Sequence, residues 1–154
     1  MTEIIFRTMT IQDLLEVQRC NTECLPENYH LKYYIYHLVS WPYCSFVAES
    51  ESGQTFVGYI LGKIDESSYP FSGHVTSLAV YPDFRNYGVA RKLMEMCIES
   101  FKKFGVRYVT LHVRKSNSAA RRLYLDKLKF EIFNEEPKYY ADGEDALSLR
   151  KKLY

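Results

Sequence analysis

Residues 75–100, VTSLAVYPDFRNYGVARKLMEMCIES, constrain the fold of this 154-residue chain more than any other stretch. Val75 to Val80 are mostly apolar and β-prone, as a buried strand would be. Tyr81-Pro82-Asp83 ends that strand, because proline has no amide proton to give a ladder and the cluster favours a turn. Leu93, Met94, Cys97, Ile98 and Phe101 then recur at helical spacing. A strand, a tight basic turn and a helix in succession leave free amides at a helix N-terminus, where a phosphate is stabilised. Gly88 lets the backbone approach such a ligand, Ala90 keeps the first turn uncrowded, and Arg85 and Arg91 supply charge of the right sign. The three-point pattern Arg85-x-x-Gly88-x-Ala90 also recurs by chance, and an ordinary turn capping a surface helix is its plain alternative. It does not fit the dinucleotide fingerprint, which needs three spaced glycines and a later acidic residue.

The length predicts one domain with a real core, spanning residues 1–154. A formal net charge of +1, with both signs scattered, argues against nucleic acid as a direct partner. Without an 18-residue apolar run or a basic-then-apolar leader, no membrane span or secretory signal is expected. The 14 tyrosines, several in pairs, suit either a peptide-binding groove or a tyrosine-rich core. Cys20, Cys24, Cys44 and Cys97 have no Cys-x-x-Cys spacing or histidine pair nearby, so no metal site is expected, and they read as reduced cytosolic thiols.

In chain order, a strand is predicted over Ile4 to Thr8, then a helix capped by Thr10 with the stripe Ile11, Leu14, Leu15 and Val17 and Asp13 in its first turn. Leu25-Pro26 breaks it, and a second helix runs from about Tyr29 to Val39 before Trp41-Pro42. Strands over residues 46–49 and 56–64 flank a turn at Ser52-Gly53. After the organising strand and helix come a strand at Val106 to Val113, a helix at Ser118 to Asp126, and strands at Phe130 to Phe133 and Leu147 to Leu153. Asp65 to Gly73 and Glu135 to Asp145 read as long loops. The order β-α-α-β-β-β-α-β-α-β-β suits a mixed α/β sheet with helices on both faces.

With that order, Arg85-x-x-Gly88-x-Ala90 resembles the acetyl-CoA pyrophosphate loop of the GNAT acetyltransferase superfamily. LPENYHLKYYIYHLVSWP (25–42), GHVTSLAV (73–80), LHVRKSNSAA (111–120) and PKYYADGEDA (137–146) resemble the catalytic subunits of ribosome-associated N-terminal acetyltransferase A complexes, in register over essentially the whole chain. Asn86 stands where many relatives carry arginine, and the family's extended charged tail has no counterpart in these 154 residues.

The resemblance implies the GNAT fold and direct transfer from acetyl-CoA to a peptide α-amine in a ternary complex, without an acyl-enzyme. The backbone of Leu78, Ala79 and Val80 would bind the pantetheine arm and the acetyl carbonyl. Arg85, Asn86, Gly88, Val89 and Ala90 would hold the pyrophosphate. Glu27 looks like the family's catalytic or substrate-ordering glutamate, with Leu25, Pro26 and Tyr29 shaping the first-residue pocket; before a helix, an acidic residue also serves the dipole alone. His112 matches a position used as a base in a sister enzyme, and His74 could relay a proton; either could equally be a packed strand histidine.

Asn117 reads as an N-cap compatible with contact to the coenzyme arm. Tyr124, two turns further along that face, is either core or the group that protonates the leaving thiolate. Arg114, Tyr139 and Tyr140 would wall a peptide groove or decorate the surface. Lys138 and the Asp142-Glu144-Asp145 run read as a solvated loop. The implied partners are a protein N-terminus starting with Ser, Ala, Thr, Gly, Val or Cys, and a large helical-repeat auxiliary subunit that also holds the ribosome. The implied compartment is the cytoplasm. A lysine or small-amine acceptor, and a catalytically silent CoA-binding module, are the competing readings.

Overall fold

A computed structural model describes residues 3–67 and 69–154. The apolar runs become seven strands: β1 (Ile4–Thr8), β2 (Phe46–Ser50), β3 (Phe56–Asp65), β4 (Ser72–Val80), β5 (Tyr108–Arg114), β6 (Glu131–Glu136) and β7 (Ala146–Lys152). They form one sheet in the order β1-β2-β3-β4-β5-β7-β6. Every neighbouring pair is antiparallel except β4 and β5. Parallel neighbours need a crossover, and α3 (Val89–Lys103) supplies it.

Two cores lie on opposite faces of this mixed α/β sheet. On one, Leu93, Met94, Cys97, Ile98 and Phe101 of α3 pack against inward residues of β2 to β5 and β7. Each such side chain contributes roughly 1.5–3 kcal/mol by leaving water. A Cβ on Gly73 would collide with the Phe101 ring, so only glycine lets α3 lie this close to β4. On the other face, Leu14, Val17 and Cys20 of α1 (Leu14–Cys24) and Tyr34 and Leu38 of α2 (Leu31–Ser40) cover Val47, Tyr59, Leu61 and Ala79.

The expected element order holds, with five corrections. Thr10 does begin a helical segment, with a capping box to Asp13, but its first turn is a 3-10 turn over Ile11–Asp13. Ile11 (60 % exposed) and Leu15 (70 % exposed) turn outward, and only Leu14 and Val17 of the expected stripe are buried. The second helix starts at Leu31 because His30 is its extended cap, which leaves Tyr29 in the preceding loop. The helix expected over Ser118 to Asp126 is one α turn, α4 (Ser118–Arg121), followed by a π turn over Arg122–Lys127. The two long loops are shorter than expected, since β3 runs to Asp65, β4 begins at Ser72 and β6 runs to Glu136. Ser68, within the first loop, lies outside the described residues.

One irregularity and one short pairing shape the centre of the sheet. Leu61 pairs with Ser77 but Gly62 with Val75, so Thr76 is an extra residue that bulges β4. The parallel register between β4 and β5 covers only Ser72–His74 against Tyr108–Thr110. Beyond His74 the two strands diverge and open a cleft.

Candidate active site

The cleft between the diverging strands has a volume of about 610 Å³. Val75 to Leu78 and Leu111 to Arg114 form its two strand walls. Leu25, Pro26, Glu27 and Tyr29 close it from the α1–α2 loop, Asn117 and Tyr124 from the α4 side, and Tyr139 and Tyr140 from the β6–β7 loop. The fold therefore gathers His74, Leu78, His112 and Arg114 with these eight, although they lie up to 115 positions apart between Leu25 and Tyr140 (140 − 25). Ala79, Val80, Arg85, Asn86, Gly88, Val89 and Ala90 lie outside the cleft lining, on the end of β4 and the turn after it.

That turn is built as an anion cradle. Asn86 (φ 69°) and Gly88 (φ 79°) are both left-handed, a conformation that glycine adopts freely and asparagine tolerates. Gly88 is the cap of α3, contributes no side chain, and a Cβ there would meet nothing within 4 Å. The first turn of α3 carries no acidic residue, so its free amides remain available to an anion. Ala79, Val80 and Val89 bury their side chains, and can meet a ligand only through their backbones. Arg85 is partly committed, its Nε donating to the Val80 carbonyl at 2.9 Å, and Arg91 pairs with Glu95 one turn on.

Arg114 is the hub of the opposite wall. Its Nε donates to Glu27 Oε1 at 3.0 Å and its Nη2 to the same oxygen. Its Nη1 meets Asp142 Oδ2 at 2.8 Å and Glu144 Oε1 at 2.9 Å. The guanidinium also lies 4.2 Å from the Tyr140 ring centre. The expected solvated acidic loop is thus corrected: Asp142 and Glu144 hold Arg114, and Asp145 accepts from the Lys138 amide at 2.9 Å. Hydrogen bonds from Ser116, then from Arg114, hold the Glu144 carboxyl down at about 2. Arg114 therefore ties the α1–α2 loop to the β6–β7 loop across the cleft mouth.

The two histidines are on adjacent strands with ring centres 5.7 Å apart. Burial, then the neighbouring His112 and Lys63, lowers His74 to about 4, and its Nδ1 lies 2.8 Å from Thr110 Oγ1. His112 has Nε2 3.0 Å from Glu136 Oε2 and stacks on Tyr139. Tyr124 is buried, and desolvation raises its phenol well above the ordinary range, so it holds its proton. A π turn widens the helix at this residue, as such turns do at functional sites. Asn117 caps α4 by accepting from the Ala120 amide at 3.1 Å.

Thr76, Tyr33, Cys24 and Ser116 also line the cleft, and none was named as a site residue from the sequence. Thr76 is there because of the bulge; Tyr29 donates to its carbonyl at 3.5 Å, and His37 Nε2 reaches its hydroxyl at 2.7 Å. A bulge has no sequence signal of its own here. Tyr33 was within reach of helical spacing, four residues on from Tyr29, whose ring it meets at 5.0 Å.

A mixed sheet whose parallel pair splits over a glycine-capped helix defines an acyl-CoA-dependent N-acyltransferase fold. Residues 12–130 match the acetyltransferase (GNAT) family, and the chain belongs to it. It is 48 % identical over 151 residues to the N-terminal acetyltransferase A complex catalytic subunit NAA10 of Arabidopsis thaliana, covering 97 % of this chain and 78 % of that protein. Among solved structures, a NatC complex bound to Gag peptide and CoA superposes with a TM-score of 0.91 at 26 % identity, covering 99 % of both chains. Naa20 of Chaetomium thermophilum with a bisubstrate analogue gives 0.88 at 28 %, covering 97 % of this chain and 86 % of that one.

Proposed function

We infer that this enzyme is a protein N-terminal Nα-acetyltransferase that transfers acetyl from acetyl-CoA directly to a peptide α-amine. The observation that carries the reading is the slot formed by Tyr29 and Tyr33 on one side and Tyr139 and Tyr140 on the other, linked through Arg114 over the split between β4 and β5. A chain end can enter such a slot; a lysine presented from continuous backbone meets walls on both sides. The relatives' names and their CoA and bisubstrate ligands support the same reaction.

Acetyl-CoA supplies the acetyl group activated as a thioester. The open edge of β4 from Leu78 to Val80 and the amides after Gly88 fit its arm and pyrophosphate, as the uncrowded Gly88 position and the acid-free helix start support. Glu27, held by Arg114, orders the incoming ammonium, with Leu25, Pro26 and Tyr29 setting the size of the first residue. His112 takes the proton, since His74 is half-buried and bound to Thr110 and one oxygen of Glu27 is committed to Arg114. Tyr124 keeps a phenol proton ready for the departing sulfur. Asn117 supports the arm from the α4 end.

Small first residues, Ser, Ala, Thr, Gly, Val or Cys, suit the pocket. A helical-repeat auxiliary subunit docks on α1 and α2 and links the enzyme to the ribosome; the outward Ile11, Leu15, Tyr36 and Val39 support that surface. Work on emerging chains places it in the cytoplasm, where its four free cysteines would stay reduced. Turnover of acetyl-CoA on peptides with free and with blocked α-amines, and on internal lysine peptides, tests the reading. Acetylation of the blocked or lysine peptides at comparable rates would overturn it.

A further inference from the structure

We propose that Glu136 is the positioning residue for His112, fixing the imidazole tautomer that accepts the substrate proton; this rests on the N-terminal acetyltransferase reading. Register brings the pair together. Across β7, His112 and Asn134 both pair with Ser148, and Arg114 and Glu136 both pair with Ala146. Residues in such a row share a face of the sheet. His112 and Glu136 are therefore two strands apart and two residues offset, on one diagonal of roughly 12 Å by backbone spacing, with only Ala146 and Ser148 between them. Those two short side chains leave the imidazole and the carboxylate free to meet over β7, at 3.0 Å between Nε2 and Oε2.

The bulge in β6 chooses which glutamate arrives. Ile132 pairs with Leu149 but Asn134 with Ser148, so Phe133 is an extra residue. Without it Glu135 would stand opposite Ala146. With it Glu136 takes that place, and Glu135 pairs instead with Lys115 at 2.6 Å.

An ionised carboxylate can only accept, so the proton on Nε2 points at Glu136 and the lone pair stands on Nδ1. Tyr139 fixes the ring plane by stacking on it, 4.5 Å between centres and 14° between planes. Its hydroxyl lies 3.4 Å from Nδ1 and donates to that lone pair, a long hydrogen bond that an incoming amine displaces. The pair is half exposed and worth little as a stabilising contact, so its use lies in orientation. In the reaction the substrate ammonium gives one proton to Nδ1, and Glu136 stays ionised beside the imidazolium. The amine nitrogen then bonds to the acetyl carbon, the carbon–sulfur bond breaks, and the second nitrogen proton ends on sulfur through the Tyr124 hydroxyl. His112 afterwards releases its proton to water.

The test uses the full chain, wild type and as Glu136→Ala, Glu136→Gln and His112→Ala. Long-range proton–nitrogen spectra of the imidazole give the tautomer, and steady-state kinetics on an N-terminal peptide give kcat and KM. The expected result is an Nε2–H tautomer in wild type and a mixture in Glu136→Ala, with kcat down roughly tenfold or more and peptide KM little changed. Glu136→Gln, which keeps an acceptor but no charge, retains the tautomer and falls between. His112→Ala and its double variant with Glu136→Ala have the same kcat. Full turnover in Glu136→Ala, or a fall in turnover with the tautomer unchanged, overturns the proposal. If wild type binds acetyl-CoA but acetylates no N-terminal peptide, the functional reading fails, while the tautomer of Glu136→Ala still decides whether Glu136 orients His112.

Discussion

At the scale of single residues, two positions carry opposite kinds of argument. Gly88 is used for its backbone: at φ 79° any other side chain is strained, yet a Cβ would meet open space. Gly88→Ala should therefore cost about 1 kcal/mol of stability and keep coenzyme binding. Gly88→Tyr should fold and lose acetyl-CoA affinity, because its ring fills the cradle at the start of α3. Calorimetric titration of both variants with acetyl-CoA checks this, and equal affinity in the two would remove the cradle. Tyr124 is used for its hydroxyl. Tyr124→Phe keeps the ring packed against Phe130 but removes the proton, so kcat should fall roughly tenfold or more with peptide affinity unchanged. Single-turnover and binding measurements on that variant separate the two effects.

At the scale of elements, what the sequence made legible is what depends on local pattern. Strand and helix order follow from apolar periodicity, and Arg85-x-x-Gly88-x-Ala90 marks the turn because its conformations are local. Ile11 and Leu15 misled because periodicity reports an apolar stripe and not what covers it. The Thr76 and Phe133 bulges were invisible, since each is set by pairing with a distant strand. Arg114 was read as a groove wall, but its partners lie 28, 30 and 87 positions away.

The β4 bulge also ties the site to stability. Thr76 meets His37, a buried α2 residue lowered to about 4 by desolvation. Its Nδ1 faces the Tyr33 carbonyl at 2.9 Å and must donate, which leaves Nε2 to accept from Thr76. His37 and His74 both have folded values near 4 against an ordinary 6.5, so between those values the unfolded chain binds more protons. Stability is full above about pH 6.5, falls as pH drops toward 4, and levels off below. The slope should approach, at most, about 1.4 kcal/mol per pH unit for each histidine. Urea unfolding from pH 7.5 to 4 tests this, and His37→Asn should remove up to half of the slope.

At the scale of the whole molecule, the apolar face of α1 and α2 and the cleft share one joint, the α1–α2 loop. Glu27 sits on the loop between those helices, and its only charged partner among the described residues is Arg114. A carboxylate on such a loop is placed only as well as its helices are. In the free chain Arg114 holds Glu27, Asp142 and Glu144 together. An acidic first residue can exchange with Glu27 for the guanidinium, whereas a serine or alanine cannot. A subunit that covered Ile11, Leu15 and Val39 would reposition the two helices and draw Glu27 off Arg114 toward the incoming ammonium. The free enzyme should then prefer Asp- or Glu-starting peptides, and the complex Ser- and Ala-starting ones. Arg114→Gln should abolish the acidic preference of the free chain, because among the described residues the cleft lining then holds no Lys or Arg to receive the substrate carboxylate; a preference that persists would point to Lys138, in the β6–β7 loop, as the receiver. Val39→Glu, on the exposed helix face and away from the cleft lining, should leave the free chain's rates alone and weaken the shift by opposing docking. The measurement is the ratio of Ser-start to Asp-start rates, free and with the auxiliary subunit. An unchanged ratio on binding would mean that docking stabilises the helices without moving Glu27, and that specificity is set within this chain alone.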